Sequence, residues 1–502
     1  MQRPTLHVKR HFSSLATLLT TFALAFSLFG AATALGRSGL PPEVEAAFTA
    51  AGVPGDAVAI VVEKLDEPRA GRRLLSENTA QPMHPASVIK LFTTGATLDL
   101  LGPATTWRTE FRVLKPPVEG RLDGPLYLKG SGAPKLTVEQ FWLLLRQLRS
   151  KGVREIRGNL RLDRSLFALP PHDPAAFDGK PLQPYNAGAD ALLINFNALT
   201  LLLVPDAANQ RVAALLETPH AKLRLNNQLR LVRGGCGDWR GDISVKEEGS
   251  TIILSGRYPQ SCGERRLNLS PLTGDAQVEG LFRALWSELD GTLDGKVDCG
   301  IAPADSIVIA AQDSPPLAEA VRDINKFSNN VMARQLFLAL SAEPPPATYE
   351  KSAARLRAWL TAKGINAPEL IIENGAGLSR HDRVSADTLA ALLRSIWKSP
   401  TMPELMSSLP IFGEDGTMKK RGNGNGSEPG GRGRAHLKTG YLEGVRALAG
   451  YLLDLQGERW LLVAVVNHPN AARAKGAMDL LVEWAIRHPA VPATTGPQAN
   501  NR

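Results

Sequence analysis

Cysteine is scarce: three residues in a chain of 502. That excludes a disulfide-stapled scaffold and is compatible with an oxidising compartment. Aromatic residues make up only 6% of the chain, and no aromatic–basic RNA motif is found among them. No Cys/His spacing suits zinc, and no Gly-rich loop opens a helix to cradle a phosphate. No cofactor or metal is expected. The net charge of +9 is spread along the chain. This argues against a nucleic-acid partner and leaves peripheral contact with an anionic membrane surface open. Past residue 34 no apolar run is long enough to span a bilayer.

Hydrophobic residues at 43% and charged residues at 21% are ordinary for a globular protein with a sizeable core. Arg3, Lys9 and Arg10 precede an uncharged stretch ending in Ala32-Thr-Ala34. Residues 1–34 are therefore expected to be a signal peptide cleaved after Ala34, with an uncleaved anchor as the rival reading. The rest of the chain is expected in the periplasm. Cys236 and Cys262 flank a hairpin-like stretch and are the expected disulfide, leaving Cys299 unpaired. Three separate buried thiols are the alternative.

Apolar periodicity divides the remainder. Pro41 to Ala51 reads as a short helix, Asp56 to Glu63 as a buried strand and Arg73 to Glu77 as its return strand. Residues 106–305 break into short alternating strands around one helical segment, Thr137 to Lys151. They are expected to form one or two β-rich modules inserted into a discontinuous domain of residues 35–105 and 306–488. A strand at Ser306–Ala310, a helix capped by Ser314 and several further helices are expected to resume that domain. A hairpin about Gln456-Gly457 and a closing helix from Ala471 to His488 complete it. Residues 421–434 read as a mobile loop and 489–502 as a disordered tail.

Pro85-Ala-Ser-Val-Ile-Lys90 opens a helical pattern, with Lys90 three positions after Ser87 on the same face. A serine there has its N–H near the positive end of a helix, and a neutral lysine beside it can take the hydroxyl proton. Taken singly, the motif also describes a capping serine and a solvated lysine. Phe327-Ser328-Asn329-Asn330 supplies Ser-x-Asn at the start of an apolar helix, and Lys438-Thr439-Gly440 lies on a strand. Gly440 would let a ligand backbone approach that strand. His84, His436 and His468 read as loop or surface histidines. Asp415 is considered as a residue ordering the loop 421–434.

In this order the three motifs resemble those of penicillin-recognising serine acyltransferases. The roughly 240 residues between Ser87 and Ser328 are an insertion of domain size. That insertion narrows the resemblance to the class C low-molecular-mass penicillin-binding proteins, the D-alanyl-D-alanine carboxypeptidase/endopeptidase type. Asn374-Gly-Ala-Gly-Leu-Ser-Arg380 is similar to that family's Gly-rich loop, and the stretches Leu409–Thr417, Lys438–Val445 and Ala447–Gly450 are similar as well. The resemblance implies a multi-domain α/β fold, with an antiparallel transpeptidase-like sheet flanked by helices. It also implies acylation of Ser87 by stem peptides and cross-links of peptidoglycan, and by β-lactam antibiotics as inhibitors. Lys90 would be the base, Ser328 a proton relay and Asn330 a brace for Lys90. Lys438 and Thr439 would hold the terminal carboxylate beside Gly440, and Ser87 and Tyr441 N–H groups would form an oxyanion hole. Bulky Tyr441, Asn374 in place of a common Asp, and Gly130-Ser-Gly-Ala-Pro134 without an acidic residue depart from the family pattern. A β-lactamase of the same fold and a non-catalytic wall-binding protein are the competing readings.

Overall fold

A computed structural model describes residues 39–65, 73–422 and 431–487. The expected signal peptide, the tail and most of the loop 421–434 lie outside the described residues.

The strands Val58–Lys64 and Arg459–Asn467 are apolar at almost every position, because both faces of their sheet are covered. They sit inside a five-stranded antiparallel sheet. Its order is Ala435–Leu442, Val445–Leu453, Arg459–Asn467, Val58–Lys64, Arg73–Glu77. Alternation sends Ala59 and Val61 to one core and Val58, Ile60 and Val62 to another. The first core is roofed by helices that include Lys90–Leu101, Asn330–Ala339 and Ala386–Trp397. The second packs Pro42–Ala50 against Lys475–Arg487.

The insertion is two nested modules. The outer one carries a five-stranded sheet ordered Val297–Cys299, Leu160–Asp163, Leu126–Lys129, Arg108–Val113, Ile307–Asp313. Phe111, Phe141, Phe282 and Trp286 fill its core, with Phe111 and Phe282 edge to face at 6.0 Å. The inner module is a six-stranded sheet spanning Leu199–Asp206 to Arg265–Leu269. A Cys236–Cys262 disulfide ties its loops, and Cys299 is a free, exposed thiol.

Several expectations are corrected. The strand at 307–313 does not return to the first domain; it pairs antiparallel with Arg108–Val113 and closes the insert's own sheet. Its short apolar run suits either sheet, and only the long-range pairing decides. The insert holds a second helix, Gly274–Glu288. Ser314 does not cap the next helix, which starts at Leu317 after Pro316; its hydroxyl accepts the Trp107 N–H instead. Ser87 lies in a 3-10 turn, Ala86–Ile89, and the α-helix starts only at Lys90. The chain enters that turn through Ala86, held left-handed at φ 47°.

Candidate active site

The turn that carries Ser87 is braced from behind by a residue that reads from sequence as a loop histidine. His84 is buried; its Nδ1 accepts the Ala86 N–H at 3.0 Å and its Nε2 lies 2.8 Å from the Ser379 carbonyl. Those partners require the tautomer protonated at Nε2. Burial, the largest influence, lowers its pKa and favours that neutral ring. Asn467 accepts the His84 N–H at 2.7 Å, tying the turn to the central sheet. The other side of the turn is pressed by two glycines. A Cβ at Gly440 would stand 2.6 Å from the Pro85 carbonyl oxygen, and one at Gly377 2.2 Å from that of Ala86. Gly440 thus admits the chain's own backbone, the turn that carries Ser87. Of residues 83–90 only Ser87 is partly exposed.

Lys90 is fully buried. Its Nζ lies 2.8 Å from Ser87 Oγ and 2.7 Å from Asn330 Oδ1, and it also meets the Ala376 carbonyl oxygen. Burial first, then the Lys438 and Arg334 charges, holds its pKa well below the ordinary lysine range, with Asp382 opposing them. Lys438 is equally buried; its Nζ donates to Ser328 Oγ at 2.9 Å and to the Thr439 carbonyl at 2.9 Å. Burial lowers its pKa to about 7.

Ser328 does not begin a helix. It is the left-handed C-cap, φ 58°, of Leu317–Phe327, and Asn329 caps the following helix at Asn330. A non-glycine residue in that region is strained, and the bend turns its hydroxyl onto Lys438. Thr439 Oγ1 shares a 2.7 Å hydrogen bond with Thr417 Oγ1. Tyr441 is 69% exposed at the cleft mouth, with the Arg446 guanidinium 3.6 Å from its ring centre. Asp415 accepts from Lys326 Nζ at 2.6 Å and from the Ile411 N–H at 2.8 Å, so its order-giving contacts are upstream of the loop 421–434.

Three distant stretches therefore meet in one cleft, as the motif order implies. Three further residues escaped the sequence reading: His84, Asp382 and Arg334. A buried arginine four positions after Asn330 on an apolar helix was the one available signal.

Known proteins share this arrangement of chain. The D-alanyl-D-alanine carboxypeptidase of Actinomadura sp. (strain R39) is 28% identical over 94% of this chain and 89% of its own. D-alanyl-D-alanine carboxypeptidase DacB of Haemophilus influenzae is 26% identical over 69% of this chain and 73% of its own. The crystal structure of penicillin binding protein 4 (dacB) from Haemophilus influenzae superimposes with a TM-score of 0.74 at 23% identity. That superposition covers 89% of this chain and 100% of the other, a likeness of fold. The sequence profile of the D-Ala-D-Ala carboxypeptidase 3 (S13) family matches residues 41–488, and the chain belongs to that family.

Proposed function

We propose that the protein hydrolyses the D-alanyl-D-alanine ends of peptidoglycan stem peptides, and the D,D cross-links made from them, through an acyl-enzyme on Ser87. One observation carries this reading, the set of partners around Lys90 Nζ. A neutral amine has two N–H groups and one lone pair. The Asn330 Oδ1 and Ala376 oxygen contacts can only accept, so they take both N–H groups. The lone pair is left facing the Ser87 hydroxyl at 2.8 Å. That is the geometry of a general base, and the lowered pKa supplies the neutral form.

Ser87 Oγ attacks the penultimate D-alanine carbonyl as its proton passes to Lys90. The oxyanion is received by the Ser87 and Tyr441 N–H groups, each contributing about 3 kcal/mol in such sites. Collapse breaks the C–N bond, and the Ser328 hydroxyl passes a proton to the leaving amine, replenished from the lysine pair. Lys438 and Thr439 hold the substrate's terminal carboxylate. Water then attacks the ester, releasing the shortened peptide and restoring Ser87. β-Lactams acylate the same oxygen. Export to the periplasm on residues 1–34, with peripheral membrane contact, belongs to the same reading; a mature N-terminus at residue 35 tests the export.

A labelled penicillin should mark the wild-type protein and not Ser87→Ala. Purified muropeptides should lose terminal D-alanine or cross-links by mass spectrometry. Absence of both label and product overturns the proposal. Rapid release of hydrolysed penicillin with no muropeptide product would assign a β-lactamase instead.

A further inference from the structure

A buried carboxyl group stands behind Lys90 with no part in the steps above. Asp382 is fully buried. Its Oδ1 accepts the Glu373 N–H at 3.0 Å, its own N–H donates to Ser379 Oγ at 3.2 Å, and Oδ2 has no hydrogen-bond partner among the described residues. These contacts clamp the two ends of the loop from Glu373 to Asp382. That loop delivers the Ala376 carbonyl to Lys90 Nζ and the Ser379 carbonyl to His84. The charges that act on Lys90 are Lys438, Arg334 and Asp382, and Asp382 alone among them is negative. Around Asp382 itself stand Glu373, Lys90 and Arg383.

A carboxylate this deeply buried is costly to keep charged. The positive groups that act on it are the buried Lys90 amine and Arg383, and a buried ammonium is costly in the same way. We infer that Asp382 is a positioning residue for Lys90: it shapes the loop that grips the amine and sets how tightly the amine holds its proton. The inference rests on Lys90 acting as the base.

The electrostatics have a definite sign. An anion near a lysine favours its charged form, so Asp382 opposes burial, Lys438 and Arg334. Burial pushes the Asp382 carboxyl itself up to about 6. Above that pH the carboxylate raises the proton affinity of Lys90. Below it the neutral carboxyl releases Lys90 to the two cations, which favour the free amine. The pair therefore titrates as a coupled unit, and the acid limb of the reaction is more gradual than a lone lysine would give.

Asp382→Asn keeps the side-chain shape and the acceptor for the Glu373 N–H while removing the charge. The rate constant for acylation by a fluorescent penicillin is measured against pH for the full chain and this variant. The acid limb of the variant should move to lower pH by about half a unit or more and become steeper. An unmoved limb, in a variant that still acylates and melts cooperatively, overturns the inference and leaves only a structural role. If the wild type takes no label at all, the reading of Lys90 as base fails instead. Should the variant not fold, the wild type labelled with [13C]lysine decides. The Lys90 side-chain resonance should show a second inflection where Asp382 titrates, and a single inflection overturns the proposal.

Discussion

The candidate active site and the inner six-stranded module use charge in opposite ways. On the inner module, Arg266 meets Glu217 through two short hydrogen bonds of 2.6 and 2.7 Å, yet the arginine side chain is 65% exposed. Water screens such a pair, and its geometry adds little. In the cleft, Lys90 and Lys438 are fully buried. There desolvation, not the length of the contacts, holds the pKa of both ammonium groups below the ordinary lysine range. A basic side chain is screened by water in one place and stripped of it in the other.

Three variants break or sharpen that contrast. The largest effect is expected from Lys438→Met, which removes the second buried amine and, on the proposed function, the anchor for the substrate carboxylate. Acylation by labelled penicillin should fall by about a hundredfold or more. The variant should nevertheless melt higher at neutral pH. A lysine whose folded pKa is lowered to about 7 binds fewer protons folded than unfolded between there and its unfolded value. Stability therefore rises with pH across that window and is lost as pH falls through it. Removing the lysine should raise the melting temperature by about 2–4 °C for each kcal/mol recovered, and lessen the rise of stability between neutral and alkaline pH. Calorimetry across pH checks both.

A smaller effect, confined to the other region, is expected from Cys236→Ser with Cys262→Ser. Opening the crosslink should cost the inner module about 3 kcal/mol and bring its melting forward. Acylation of Ser87 should stay at the wild-type rate at temperatures below that transition. Least of all, Arg266→Gln should leave both the melting curve and the acylation rate unchanged within error. A clear loss of stability there would mean that the exposed pair does more than its solvation allows.

Much of the fold was legible because two-residue and helical periodicities survive in short windows. The hairpin about Gln456-Gly457, with Gly457 at φ 88°, and the buried strand at 58–64 are of that kind. The strand at 307–313 was assigned to the wrong sheet because its partner lies nearly two hundred residues away. Ser87, Lys90, Ser328, Asn330 and Lys438 were legible as motifs. His84 and Asp382 were not, because each acts through a carbonyl or a field supplied by another segment.

The amino-acid sequence alone determined which reagents exist: a serine one turn from a lysine, a second serine beside an asparagine, and a strand lysine before a glycine. Only the tertiary structure decided their protonation and approach. Burial of Lys90 and Lys438, the left-handed bend at Ser328 and the carboxyl of Asp382 behind the site arise where distant segments pack. The free energy of a charge depends on what surrounds it in space, and no local stretch of sequence carries that information.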